Sequence, residues 1–135
     1  MAVRRRRKVR WVLQFVGHGL SLIPIQKLPN SQNAIIEILK LRDYCLSTEL
    51  PRGRHKSRVF REALGLTVDD AEWLQQKLIE GIQLQSAEKL ETDSFGNRWR
   101  VDLPLTRQGK SAVVRTGWII KTGEQFPRLI TCWVL

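Results

Sequence analysis

With 135 residues and a formal net charge of +10, the chain has room for one ordinary domain with a real core and none for two. Cys45 and Cys132 are too few and too far apart for a disulfide framework or a zinc site, so they read as reduced core residues and favour a cytoplasmic setting. The charge is segregated, with six cations between Arg4 and Arg10, five more between Arg52 and Arg61, and an acidic stretch from Asp69 to Asp93, a pattern that builds a basic surface for polyanions.

Taken in chain order, residues 1–24 are expected to be a basic arm or extension without fixed structure, and the domain is expected to span residues 25–135. Arg4 to Arg10 followed by Trp11-Val12-Leu13 has the outline of a signal peptide. Gln14, Gly17, His18 and Gly19 interrupt the apolar run, no Ala-x-Ala-like site follows, and the run is shorter than the roughly 20 residues a bilayer span requires. Pro29, Asn30 and Ser31 mark a turn. Ala34, Ile35, Ile38, Leu39, Leu41, Tyr44 and Cys45 then suit an amphipathic helix ending near Ser47, whose first part also fits a short strand.

The segment Pro51-Arg52-Gly53-Arg54-His55-Lys56-Ser57-Arg58-Val59-Phe60 organises the rest. Pro51 and Gly53 break any preceding helix, and the spacing of Val59, Phe60, Ala63 and Leu64 predicts a new helix from about Arg54 to a C-cap at Gly65. His55 and Lys56 then project from the first turn beside unpaired backbone N–H groups, an arrangement suited to phosphate. A solvated basic loop would carry the same residues. Thr67 is expected to cap a third helix, with Asp69, Asp70 and Glu72 in its first turn and Trp73, Leu74, Leu78 and Ile82 on its buried side, extended by Leu84 or Gln85.

After Gln85 the period changes from helix to strand. Residues 87–92 and 98–104 flank a turn at Asp93-Ser94-Phe95-Gly96-Asn97, and further strands are expected over 112–121 and 128–134. The fold class is therefore α+β, with N-terminal helices packed on a C-terminal antiparallel sheet of about four strands. Parity places Arg100, Arg115 and Arg128 in a cationic row on an open sheet face. In the last strand it groups Leu129, Thr131 and Trp133 opposite Arg128, Ile130 and Cys132, which would set Thr131 beside the helices unless a bulge intervenes.

Lys27-Leu28-Pro29-Asn30, Lys40-Leu41-Arg42-Asp43-Tyr44, the basic segment, Val114-Arg115-Thr116-Gly117-Trp118-Ile119-Ile120 and Pro127-Arg128-Leu129-Ile130-Thr131 together resemble an uncharacterised bacterial domain of toxin-antitoxin and polymorphic toxin settings. That domain looks similar to the metal-independent ribonucleases grouped around barnase, EndoU, colicin nucleases and RelE. The resemblance covers roughly residues 25–135. It implies RNA cleavage without metal or other cofactor, with His55, Lys56, Arg115 and Thr131 as catalytic residues and Trp118 beside Arg115 in the central strand. Relatives often continue with a tyrosine where this chain ends Thr131-Cys132-Trp133-Val134-Leu135.

RNA transesterification needs a proton carrier, for which histidine is suited near neutral pH, and cations or donors for the charge that develops on phosphorus. Arg52, Arg54, Arg100, Thr116, Trp118 and Arg128 are the expected substrate contacts, although Trp118 and Thr116 fit core positions better and Arg128 fits a plain surface role equally. The expectation is a cytoplasmic endoribonuclease toxin with RNA and a cognate antitoxin protein as partners, no membrane role, and an open oligomeric state. A noncatalytic RNA- or DNA-binding module and an immunity or antitoxin-like interaction protein remain as alternatives.

Overall fold

The computed structural model describes residues 10–49 and 54–135 of the chain. The described part of the expected unstructured arm is an antiparallel hairpin, β1 (Arg10–Val16) and β2 (Gly19–Ile25). Two runs of β-favouring residues meet there around Gly17, whose φ of 62° suits the tight turn. Trp11, Leu13, Phe15, Leu20 and Leu22 share one face and are all more than half exposed. Gln26, just past the hairpin, joins the rest of the chain by accepting the Ala87 N–H at 2.7 Å.

The single helix expected over 34–47 is divided. Ile35 pairs in parallel with Arg128, receiving the Leu129 N–H at 3.0 Å and donating to the Pro127 carbonyl at 2.8 Å, so an isolated bridge and not a strand stands where the short-strand alternative was expected. Helix α1 (Ile38–Lys40) follows and continues as a π-helical turn over Leu41–Cys45. That winding buries Leu41 and Cys45 and leaves Leu39 and Tyr44 exposed.

Helix α2 (Arg54–Leu64) buries Phe60 and Leu64 completely. It stops where expected, at Gly65 with φ 67°, and Leu66 N–H closes back onto the Phe60 carbonyl at 3.3 Å. A short 3-10 turn opened by Thr67, whose N–H donates to Asp70 Oδ2 at 2.8 Å, leads into α3 (Ala71–Leu84). Leu74, Leu78 and Ile82 face the sheet, and of the two residues offered to extend that side Leu84, the last of the helix, is 75% exposed whereas Gln85 is half-buried.

Strands β3 (Glu88–Asp93), β4 (Gly96–Arg107), β5 (Lys110–Lys121) and β6 (Arg128–Val134) form one antiparallel sheet in that order, with the helices N-terminal to it. The arrangement is α+β, as the sequence predicts. Gly96 sits at φ 149° at the β3–β4 turn, and a Cβ there would lie 2.2 Å from the Ile120 carbonyl oxygen, so no larger residue fits. Helix α3 packs over β4, and α2 over β5 and β6. Their apolar sides meet Val101, Leu103, Val114 and Trp118, each at most 1% exposed, and burial of each such large side chain stabilises the fold by about 1.5–3 kcal/mol.

The last strand departs from simple alternation. Gly117 is paired with Thr131 and the next residue, Trp118, with Leu129, so Ile130 is an extra residue bulged out of the ladder. Leu129 and Cys132 both point to the helices, and Thr131 lies with Arg128 and Trp133 on the open face. The expected grouping of Leu129 with Thr131 and Trp133 is thereby corrected, and Thr131 meets the helices through Lys56 at the sheet edge and not from the helix-facing side.

Candidate nucleic-acid interface at the edge of β6

β6 is the last strand of the sheet, and beyond the Ile35 bridge its outer edge lies against α2. Lys56, half-buried in the first turn of α2, reaches over the edge, and its Nζ donates to Thr131 Oγ1 at 3.2 Å. The same ammonium stands 5.0 Å from the centroid of the Trp133 ring. His55 is exposed one residue earlier. It lines with Lys56, Val59, Trp133 and Val134 a groove of about 260 Å³ between helix and strand. The turn itself is held by Ser57, whose buried hydroxyl donates to the Arg54 carbonyl at 2.9 Å.

Trp133 also borders a second groove, of about 190 Å³, on the open face of the sheet. Gly117 provides its floor, with Arg100 and Arg115 on one side, Ile130 and Thr131 on the other, and Leu90 at the β3 end. Thr131 and Trp133 thus belong to both the helix edge and the open face. The bulge at Ile130 is what turns them outward.

The arginines of the open face do not form the free cationic row that parity suggested, because each has a local carboxylate. Arg115 is bound in a fork by Asp102 at 2.9 and 3.0 Å, and this contact raises its pKa, keeping it firmly charged. Arg100 meets Glu88 at 2.5 Å, Arg98 meets Asp93, and Arg128 meets Glu124 at 2.9 Å. Arg128 stands opposite Ile119 at the far end of β6 and lines neither groove. Among the described residues Lys56 forms no ion pair, so its charge is directed at Thr131, Trp133 and the groove.

Of the residues expected from sequence, the structure brings His55, Lys56 and Thr131 together, with Arg115 on the same face, cross-strand from Trp133. Arg100 borders the open-face groove one strand further away. Arg54 is exposed at the start of α2, and Arg52 lies outside the described residues. Thr116 and Trp118 are corrected from substrate contacts to core. Both are 0% exposed, with Trp118 Nε1 donating to Thr116 Oγ1 at 2.7 Å and Thr116 Oγ1 donating to the Val101 carbonyl at 2.7 Å. Trp133 is the residue that sequence reasoning missed. Its signal was its shared parity with Thr131, hidden because both were assigned to the helix side.

Beneath the site, the free thiols of Cys45 and Cys132 are in contact. Donation from Cys132 lowers the Cys45 pKa to about 7 against the opposing effect of burial, with Lys56 and Lys40 adding smaller favourable charge. The donor role and burial push the Cys132 thiol up. Lys40 Nζ also donates to the Leu129 carbonyl at 3.1 Å, so two lysines clasp β6 on either side of the bulge.

The family model described as a domain of unknown function (DUF6883) matches residues 27–135. The chain belongs to that family. The match takes in the whole candidate site, from α2 through β6, and begins just after the β1–β2 hairpin. No curated protein matches the chain. Among the described residues no helix is long and apolar enough to cross a membrane, and no group of three or more His, Cys, Asp or Glu side chains is placed to hold a metal ion.

Proposed function

We propose that this chain is a metal-independent endoribonuclease that cleaves RNA through attack of the ribose 2'-hydroxyl, acting in the cytoplasm as a toxin restrained by a cognate protein. The observation that carries the reading is the Lys56–Thr131 contact at 3.2 Å, with Lys56 on the groove that His55 lines and Thr131 on the adjoining one, so that a proton carrier, an ammonium and a hydroxyl stand along one edge of the sheet. Thr131 Oγ1 accepts from Lys56, so its own proton is available to a phosphoryl oxygen. Lys56 offsets the charge that develops on that oxygen.

His55 takes the 2'-hydroxyl proton as the O2'–phosphorus bond forms, and the bond from phosphorus to the 5'-oxygen breaks as that oxygen regains a proton from the protonated groups of the groove. The expected products carry 2',3'-cyclic phosphate and 5'-hydroxyl ends.

One histidine at the site also suits a module that holds RNA without cutting it, and the same experiment separates the two. The purified chain is incubated with total RNA in EDTA and its product ends are analysed, alongside His55→Ala. The variant is expected to lose about a hundredfold to ten-thousandfold in rate while keeping its fold and most RNA affinity. Full cleavage by His55→Ala, or cleavage by the native chain that disappears in EDTA, overturns the mechanism. RNA binding without cleavage establishes the binding module instead.

A further inference from the structure

Gly117 lies in the interior of strand β5, opposite the bulge of β6, where its own φ does not require glycine. Its φ is outside the left-handed region, and a Cβ placed on it would meet only Thr131 Cγ2 at 3.7 Å and the Thr131 carbonyl oxygen at 3.8 Å, ordinary contacts. Glycine in a strand interior weakens the strand, and a position that tolerates a side chain yet carries none fits a site that something else must approach closely. The space left is the floor of the open-face groove of about 190 Å³.

The walls of that groove have the chemistry of a flat, partly polar ring. Trp133 offers an aromatic surface, Ile130 an apolar wall pushed out by the bulge and 39% exposed, and Thr131 a hydroxyl. Arg115, locked in its fork with Asp102, presents its remaining N–H groups with little freedom to lose. Trp133 is shared with the His55–Lys56 groove, so a group in one groove is adjacent to a group in the other.

We propose that the open-face groove over Gly117 is a nucleobase subsite, seating a base of single-stranded RNA against Trp133 while the adjoining phosphate lies at Lys56 and Thr131. This rests on the reading that the two grooves take RNA, but not on cleavage. Base stacking on an aromatic side chain is tolerant of sequence and needs an open floor, which a β-branched residue at position 117 would fill.

The test compares two polyanions on the full chain: a 2'-O-methyl oligouridine, whose blocked 2'-oxygen cannot act as nucleophile, and inorganic polyphosphate of matched charge, which has no bases. Gly117→Val and Trp133→Leu are each expected to weaken the oligonucleotide by about tenfold or more and leave polyphosphate unchanged. Gly117→Val should also melt at the native temperature or above, since valine favours strands. Equal loss for both ligands, or loss for neither, overturns the subsite. If Gly117→Val does not fold, the space was not free and Trp133→Leu decides alone. Loss of cleavage reports separately through His55→Ala, so the subsite can stand where the nuclease reading falls, and the reverse.

Discussion

Replacing Lys56 with methionine keeps the stem that packs along α2 and removes the ammonium. Two interactions are lost from the fold: the 3.2 Å hydrogen bond to Thr131 and the contact 5.0 Å above Trp133. A charged hydrogen bond contributes about 1.5–3 kcal/mol when desolvated and an exposed cation–π contact about 0.5–1 kcal/mol, so a half-exposed lysine belongs at the low end of their sum. Removing one cation from a turn that also carries Arg54 and Arg58 returns part of it. The net stability loss should be about 1–2 kcal/mol, read from urea denaturation. Catalysis should suffer more, because a donor aimed at developing charge is worth about 2.7–4 kcal/mol in the transition state, a factor of roughly 10²–10³ in rate. Cleavage of RNA in EDTA, assayed where both proteins are fully folded, should therefore fall far below what the stability change explains. Folded Lys56→Met protein cleaving within a few-fold of the native chain would refute the assignment and leave Lys56 as a structural clasp.

Two further outcomes follow from the core beneath the site. Trp118→Phe breaks a buried hydrogen bond to Thr116, whereas Trp99→Phe removes an indole N–H that has no partner among the described residues, so urea denaturation should show Trp118→Phe costing about 1–2 kcal/mol more despite the same change of side chain. Cys132→Ala takes away the thiol donor, the largest influence lowering the Cys45 pKa, and leaves burial opposed by the Cys132 backbone N–H and the two lysines, so thiolate absorbance titrated against pH should move up toward the ordinary value of 9.0. A titration that does not move would show that the Cys132 backbone N–H and the two lysines, not the Cys132 thiol, set it.

The α+β plan was legible because it rests on local signals. Gly65, Gly96 and the change of period after Gln85 each act within a few residues, and each held. The division of the segment around Ile35 was only half legible, since its pairing partner, Arg128, lies about ninety residues away and leaves no local trace. The ion pairs of the open face were hidden for the same reason: Asp102 and Glu88 have to be in register with Arg115 and Arg100 before a row of cations becomes a row of pairs. His55 and Lys56 could be placed from their own helix. Trp133 could not, because its face depends on a bulge. Of the arm, β-favouring residues on either side of Gly17 were the readable sign, masked by the flanking arginines.

The bulge is the point at which fold and site constrain each other. Leu129 opposite Trp118 and Cys132 opposite Thr116 must both point inward to close the core under α2, yet they are three residues apart, which simple alternation forbids. One extra residue resolves the conflict, and its side effect is to hold Thr131 and Trp133 outward at the sheet edge within reach of Lys56. A regular β6 would force a choice between burying Leu129 and burying Cys132. In the first case Thr131 and Trp133 would turn into the core, carrying an indole and a hydroxyl away from His55. In the second Leu129 would be lost from the contact with Trp118. The packing requirement of two apolar residues thus makes a polar edge, and the chain places its first helical cations against that edge.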